Sequence, residues 1–146
     1  MQYLSVSEIE YVAHTLAKEL MSWNEPIPDF QSRYPNKLEA CLAAPRQTFD
    51  KKQLYPKIYR KGSILFYLII KDHPFQNGNK RIAIMALLYF LYKNGRWLKI
   101  DNQQLYNFAR WVAASDPAVK EQVLGAIYEI LRKYSENRSL SQENQE

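Results

Sequence analysis

Nine consecutive residues of this 146-residue chain have types and an order that could do chemistry: His73-Pro74-Phe75-Gln76-Asn77-Gly78-Asn79-Lys80-Arg81. The second half opens a helical pattern. Backbone N–H groups at a helix start lack intrahelical partners and carry positive partial charge, so they attract anions. Gly78 permits a close backbone approach or a positive φ. Asn79 adds an amide, and Lys80 and Arg81 add two cations within the first turn. Together these residues can hold two phosphate groups. His73 stands six residues before Asn79, and neutral imidazole is the side chain best suited to take a proton from a hydroxyl near pH 7. The chemistry read from these residues is proton abstraction from an alcohol beside a bound phosphoanhydride. Each residue alone has an ordinary reading as part of a capped loop with a buried Phe75. The nine in this order, between two apolar helices, are much harder to read that way.

The elements that must position this stretch are helical. Ile9, Val12, Ala13, Leu16 and Leu20 recur at helical spacing behind a Ser cap at Ser5 or Ser7, which predicts a first helix to about Met21. Pro26, Pro28 and Pro35 impose an extended connection. A short second helix fits Asn36 to Ala44, capped by Asn36 and closed by Pro45. Residues 46–55 are polar around Phe49 and Leu54 and read as an exposed loop or small flap. Pro56 suits the first turn of a third, central helix to about Lys71, apolar over much of its circumference. A fourth helix starts near Asn79 and ends at Asn94-Gly95. A fifth starts behind Asp101 or Asn102, and a sixth opens at Asp116-Pro117. The expectation is an all-α bundle of about six helices over residues 1–134, with a polar, frayed tail over 135–146.

Composition agrees with a single soluble domain: 47% hydrophobic and 24% charged residues, with one cysteine. The chain needs no disulfide framework, and Cys41 is expected to be packed in the second helix. The longest apolar run near the middle, Ile64 to Ile70, is far too short to span a bilayer. With no signal-peptide pattern at the start, the expectation is a cytoplasmic protein without a membrane partner. Net charge is +5 and is unevenly spread. Within residues 1–32 Lys18 faces Glu8, Glu10, Glu19, Glu25 and Asp29, whereas residues 33–61 and 71–99 are strongly basic. A basic middle suits an anionic ligand such as a phosphate or nucleotide, and also fits an ordinary solvated face.

The nine residues resemble the signature of the Fic/Doc superfamily, His-x-Phe-x-(Asp/Glu)-(Gly/Ala)-Asn-(Gly/Lys)-Arg. Lys80, where the Fic branch has glycine, is similar to the death-on-curing (Doc) branch of toxin–antitoxin systems. Leu38 to Phe49, Leu54-Tyr55-Pro56 and Leu87 to Gly95 are similar to the flanking segments of Doc-like proteins. The resemblance implies an all-α fold and transfer of part of a nucleotide to a protein hydroxyl, with ATP as substrate and Mg²⁺ beside its phosphates. His73 would be the general base, Phe75 the core anchor of the loop, and Gly78, Asn79, Lys80 and Arg81 the phosphate-binding set. The flap would register the target's peptide. The Doc branch implies phosphorylation of a hydroxyl on a target such as elongation factor Tu. It also implies an antitoxin whose C-terminal segment folds into an apolar groove near the first helices, and no direct contact with DNA.

Two positions depart from the pattern. Asn77 stands where the family has the acid that helps hold Mg²⁺. An amide oxygen can ligate this hard ion but brings no negative charge. Ile84 stands where Fic AMP-transferases carry a second arginine, which favours phosphoryl over AMP transfer. Three readings follow: a kinase, an AMP-transferase, and a catalytically inactive relative that binds nucleotide or a protein partner. Ser139 to Asn144 fits an inhibitory pattern of some Fic proteins, (Ser/Thr)-x-x-x-Glu-(Gly/Asn), with its glutamate at Glu143. Its arginine partner is missing, and the match is read as chance. His14 is expected to be a half-exposed helix histidine. Tyr55, Tyr59, Tyr67, Tyr89 and Tyr92 are expected in core or interface positions. No zinc-spaced Cys/His cluster and no P-loop occur.

Overall fold

Apolar residues cover most of the circumference of two consecutive segments, and these two become the centre of the molecule. A computed structural model of the chain describes residues 1–20 and 26–137. Six helices run through the described residues. Helix α1 comprises Val6–Glu8, a π-helical stretch Ile9–His14, and Thr15–Leu20. Then come α2 (Pro35–Ala43), α3 (Ile58–Asp72), α4 (Asn79–Lys93), α5 (Asn102–Ala114) and α6 (Lys120–Tyr134). The all-α expectation, with a flap before the third helix, is met. That flap is a two-stranded antiparallel hairpin, β1 (Thr48–Phe49) with β2 (Lys52–Gln53), and Phe49 at 75% exposure is its most open large apolar side chain.

Helices α3 and α4 pack along each other. Around them α2, α5 and α6 lie on α3, while α1 and α5 lie on α4. Gly62 of α3 permits the close approach: a Cβ there would stand 3.2 Å from a Leu87 methyl of α4 and 3.3 Å from a Leu131 methyl of α6. The core around this point includes Ile64, Leu65, Phe66, Ile69, Ile82, Met85, Phe90, Val112, Val123 and Ile127. Burying such side chains contributes about 1.5–3 kcal/mol each, which explains why the two most apolar helices sit inside.

Helix ends follow local chemistry, with some departures from expectation. Ser5 caps α1 in a reciprocal box: its Oγ accepts the Glu8 N–H (3.2 Å), and Glu8 Oε1 accepts the Ser5 N–H (3.0 Å). Asp101 caps α5 by accepting the Gln104 N–H at 3.2 Å. Asp116 caps a short 3₁₀ turn, Pro117–Val119, that leads into α6. The second helix starts one residue earlier than expected. Pro35 takes its first position behind Tyr34, so Asn36 lies inside it and is not the cap. The third starts at Ile58 behind Lys57, two residues after Pro56. Ser135–Asn137, expected to fray, instead forms β4 against β3 (Arg96–Leu98), in register Leu98 with Ser135, Trp97 with Glu136 and Arg96 with Asn137. The exit of α4 through Gly95 puts an extended edge beside the end of α6, and pairing satisfies backbone groups of both segments.

Candidate active site

The loop between α3 and α4 is held from three sides. Helix α3 ends at Asp72, and His73, its C-cap, takes a left-handed backbone (φ 52°, ψ 63°). That conformation costs a non-glycine residue on the order of 1–2 kcal/mol and persists only where surroundings enforce it. Here Tyr34 N–H donates to the Pro74 carbonyl at 2.8 Å. Phe75, fully buried, packs on Phe30 and His14 with ring centroids 5.9 and 6.1 Å apart. The Asn79 amide closes on the Phe75 backbone: Oδ1 accepts its N–H at 3.0 Å and Nδ2 donates to its carbonyl at 2.8 Å. The imidazole of His73 stays exposed above this clamp, with Asn79 Nδ2 at 3.4 Å from its Nδ1.

The start of α4 sets the residues expected to bind an anion in a specific geometry. Gly78 is the N-cap, with φ 75°. A Cβ there would lie 2.4 Å from the Ile27 Cδ1 and 3.4 Å from the Pro26 carbonyl oxygen, so both backbone and space demand glycine. Asn77 Oδ1 accepts the Gly78 N–H at 2.8 Å. Lys80 is half-buried. Arg81 is 4% exposed and donates from Nη2 to the Ala17 carbonyl in the last turn of α1, where helix carbonyls gather negative partial charge. Successive helix residues are turned by about 100°, so three consecutive side chains do not face one point. Asn79 is turned to the loop and Arg81 to α1. An anion here would meet the first-turn backbone and Lys80.

As a Mg²⁺ ligand set the loop is sparse. No group of three or more His, Cys, Asp or Glu side chains suited to a metal occurs among the described residues. Asn77 Oδ1, bonded to Gly78, keeps one lone pair. These residues fit Mg²⁺ as a site completed by phosphate oxygens of a nucleotide.

The signature loop lies within residues 3–91, the span that matches the Fic/DOC family in a comparison with family descriptions and covers more than half of the chain. The chain belongs to the Fic/DOC family. It is also similar to the curated Toxin Doc of Mycolicibacterium smegmatis (strain ATCC 700084 / mc(2)155), at 34% identity over 64 residues. That alignment takes in 44% of this chain and 49% of the relative, so the chain spans about half the length of the curated relative it matches. No solved structure matches it.

Two residues that serve the Fic/DOC loop and flap were not singled out for those tasks by the sequence. His14, expected half-exposed, is 6% exposed: its Nε2 lies 2.8 Å from the Pro28 carbonyl, and its ring meets Phe30 edge-on at 5.4 Å. It ends the π-helical stretch and backs Phe75. Its spacing from Ala17, on the face that also carries Ala13, was the available signal. Lys61 is 1% exposed and donates to the Pro45 carbonyl (2.9 Å) and Gln53 Oε1 (2.7 Å), with its ammonium 5.5 Å from the Tyr3 ring centroid. It thereby ties β2 of the flap to α3. Its place three residues before Ile64 put it on the apolar face.

Among the other candidates, Cys41 is buried as expected, and burial, with the Asp72 charge adding, pushes its thiol up to about 12. Tyr67 is buried, Tyr55, Tyr59 and Tyr89 are partly buried, and Tyr92 is exposed. An apolar cavity of about 540 Å³ lies between α1, α4 and β3, lined by Val12, Leu16, Met85, Leu88, Trp97 and Ile100 among others. Residues 139–144 lie outside the described residues. No helix among the described residues is long and apolar enough to cross a membrane.

Proposed function

We propose that this protein is a Doc-like toxin that transfers a phosphoryl group from ATP to a hydroxyl of a cytoplasmic protein target such as elongation factor Tu. The observation that carries this reading is the exposed His73 imidazole, held by a strained loop directly before the start of α4. In the proposed step the target oxygen attacks the γ-phosphorus, its proton passes to the His73 ring, and the bond to ADP breaks with ADP leaving. The α4 N-terminus and Lys80 neutralise phosphate charge. Mg²⁺, held by Asn77 and nucleotide phosphates, would supply further charge neutralisation. The flap, with Phe49 exposed at its tip, would align the target peptide. The antitoxin segment would fill the apolar cavity between α1, α4 and β3, a helix-in-groove mode that suits its apolar lining.

The decisive experiment incubates the purified chain, Mg²⁺ and elongation factor Tu, with ATP labelled at γ or at α. Label from γ, reduced about 10²–10⁴-fold by His73→Ala, is the expected outcome. Label from α alone overturns the kinase reading in favour of AMP transfer, in which pyrophosphate leaves. A second reading rests on Asn77: a neutral amide bonded to Gly78 N–H suits a relative that binds nucleotide or partner without turnover. No label from either position, with the target shown to be competent, would select it.

A further inference from the structure

A second charged concavity lies at the end of α3 opposite His73. The helix has 15 residues, so its ends stand about 21 Å apart. At the N-terminal end opens a cavity of about 600 Å³ whose lining includes Lys57, Arg96, Arg132, Tyr59 and Tyr128. Three elements meet there. Lys57 is the backbone cap of α3, Arg96 begins β3, and Tyr128 and Arg132 lie one turn apart on α6. No carboxylate is among the described residues lining the cavity. Glu129 bonds Arg132 at 2.9 Å and offsets one of the three cations. Arg60, outside the lining, stacks on the Tyr128 ring, its guanidinium 3.8 Å from the ring centre. No side chain caps α3, so the positive end of its dipole adds to the same field.

Cations gathered from separate elements around one concavity repel one another, and a surface that only needed solvation would intersperse signs. We propose that this cavity binds a small phosphate-bearing molecule, its phosphate on Lys57, Arg96 and Arg132 and its remainder against Tyr59 and Tyr128. The volume falls in the range of small-molecule sites. The concavity is open to solvent, so a polymer lying across it is the competing outcome of the test. The site is separate from the signature loop and stands whether or not that loop is catalytic.

The test is a titration of the full chain with inorganic pyrophosphate, followed residue by residue in amide proton–nitrogen spectra. Saturable shifts at Tyr59 and Tyr128 are expected. They should weaken by about tenfold or more in the double variant Lys57→Gln with Arg96→Gln, and persist in Lys80→Gln. Shifts confined to residues 73–81, or a double variant that titrates like the parent, would overturn the proposal. So would tighter binding of a single-stranded oligonucleotide at the same residues, which would assign the cavity to a polymer. Arg132→Lys keeps the charge and should retain binding, which separates loss of a cation from loss of fold.

Discussion

The Nδ2 of Asn79 stands 3.4 Å from the Nδ1 of His73, and the two Phe75 bonds fix which end of the amide faces the imidazole. The Phe75 N–H requires the amide oxygen, so the nitrogen is left for its carbonyl and for His73. Asn79 thus offers His73 a donor, and a neutral ring whose Nδ1 accepts it carries its proton on Nε2. At this length the contact is weak, and the exposed ring can exchange tautomers through water.

Because one side chain serves the loop and the imidazole, Asn79→Ala should act on stability first. It leaves the Phe75 N–H and carbonyl unpaired in a buried setting, at a cost of about 2–4 kcal/mol. Urea unfolding should show a lower midpoint with an unchanged slope. Gln76→Ala, one position beyond Phe75 and exposed, should stay within about 0.5 kcal/mol of the parent. Equal midpoints for the two variants would mean that the clamp does not hold the loop.

Asn77→Asp restores a carboxylate where the chain has an amide. If charge limits the metal site, Mg²⁺ affinity in the presence of nucleotide and the rate of label transfer should both rise. A titration with Mg²⁺ at fixed ATP reads the first and the labelling assay the second. Unchanged affinity would place the metal's protein ligands elsewhere.

Glu8 makes the stability of the α1–α4 contact depend on pH. Burial alone would raise its carboxyl pKa, but bonds from Lys93, from the Ser5 backbone and hydroxyl, and from the Tyr89 hydroxyl outweigh burial and hold it below the usual carboxylate range. A lowered folded-state pKa stabilises the fold above the unfolded-state value, and the contribution is lost as pH falls through the folded one. Glu8→Gln should therefore lower the unfolding midpoint at neutral pH. The gap to the parent should close below about pH 4. A gap independent of pH would assign the effect to packing.

Lys61→Met keeps the apolar stem and removes the ammonium that holds the flap. The Pro45 carbonyl and Gln53 amide lose their donor, which should cost about 1–3 kcal/mol. Lys51 and Lys52 in the hairpin are exposed, so trypsin offers a direct reading. Cleavage after these residues should be faster in the variant under conditions where the rest of the chain stays intact. Equal cleavage rates would show that the flap keeps its place without Lys61.

Much of this was present in the order of residues. Apolar periodicity alone marked α3 as central, Ser5 or Ser7 and Asp101 or Asn102 marked two helix starts, and the nine residues from His73 to Arg81 marked the candidate site and pointed to its family. These features are local: a helix period, a cap and a loop motif are set by residues within a few positions of one another. What the sequence left open depends on contacts across many positions. Arg81 meets Ala17, His14 packs on both Phe75 and Phe30, Lys61 reaches Gln53, and Ser135 pairs with Leu98. Each partner is chosen by the packing of elements far apart in the chain. Only the tertiary structure decided which polar side chains hold the loop and flap, because burial obliges every polar group to find a partner and the partner is set by the fold.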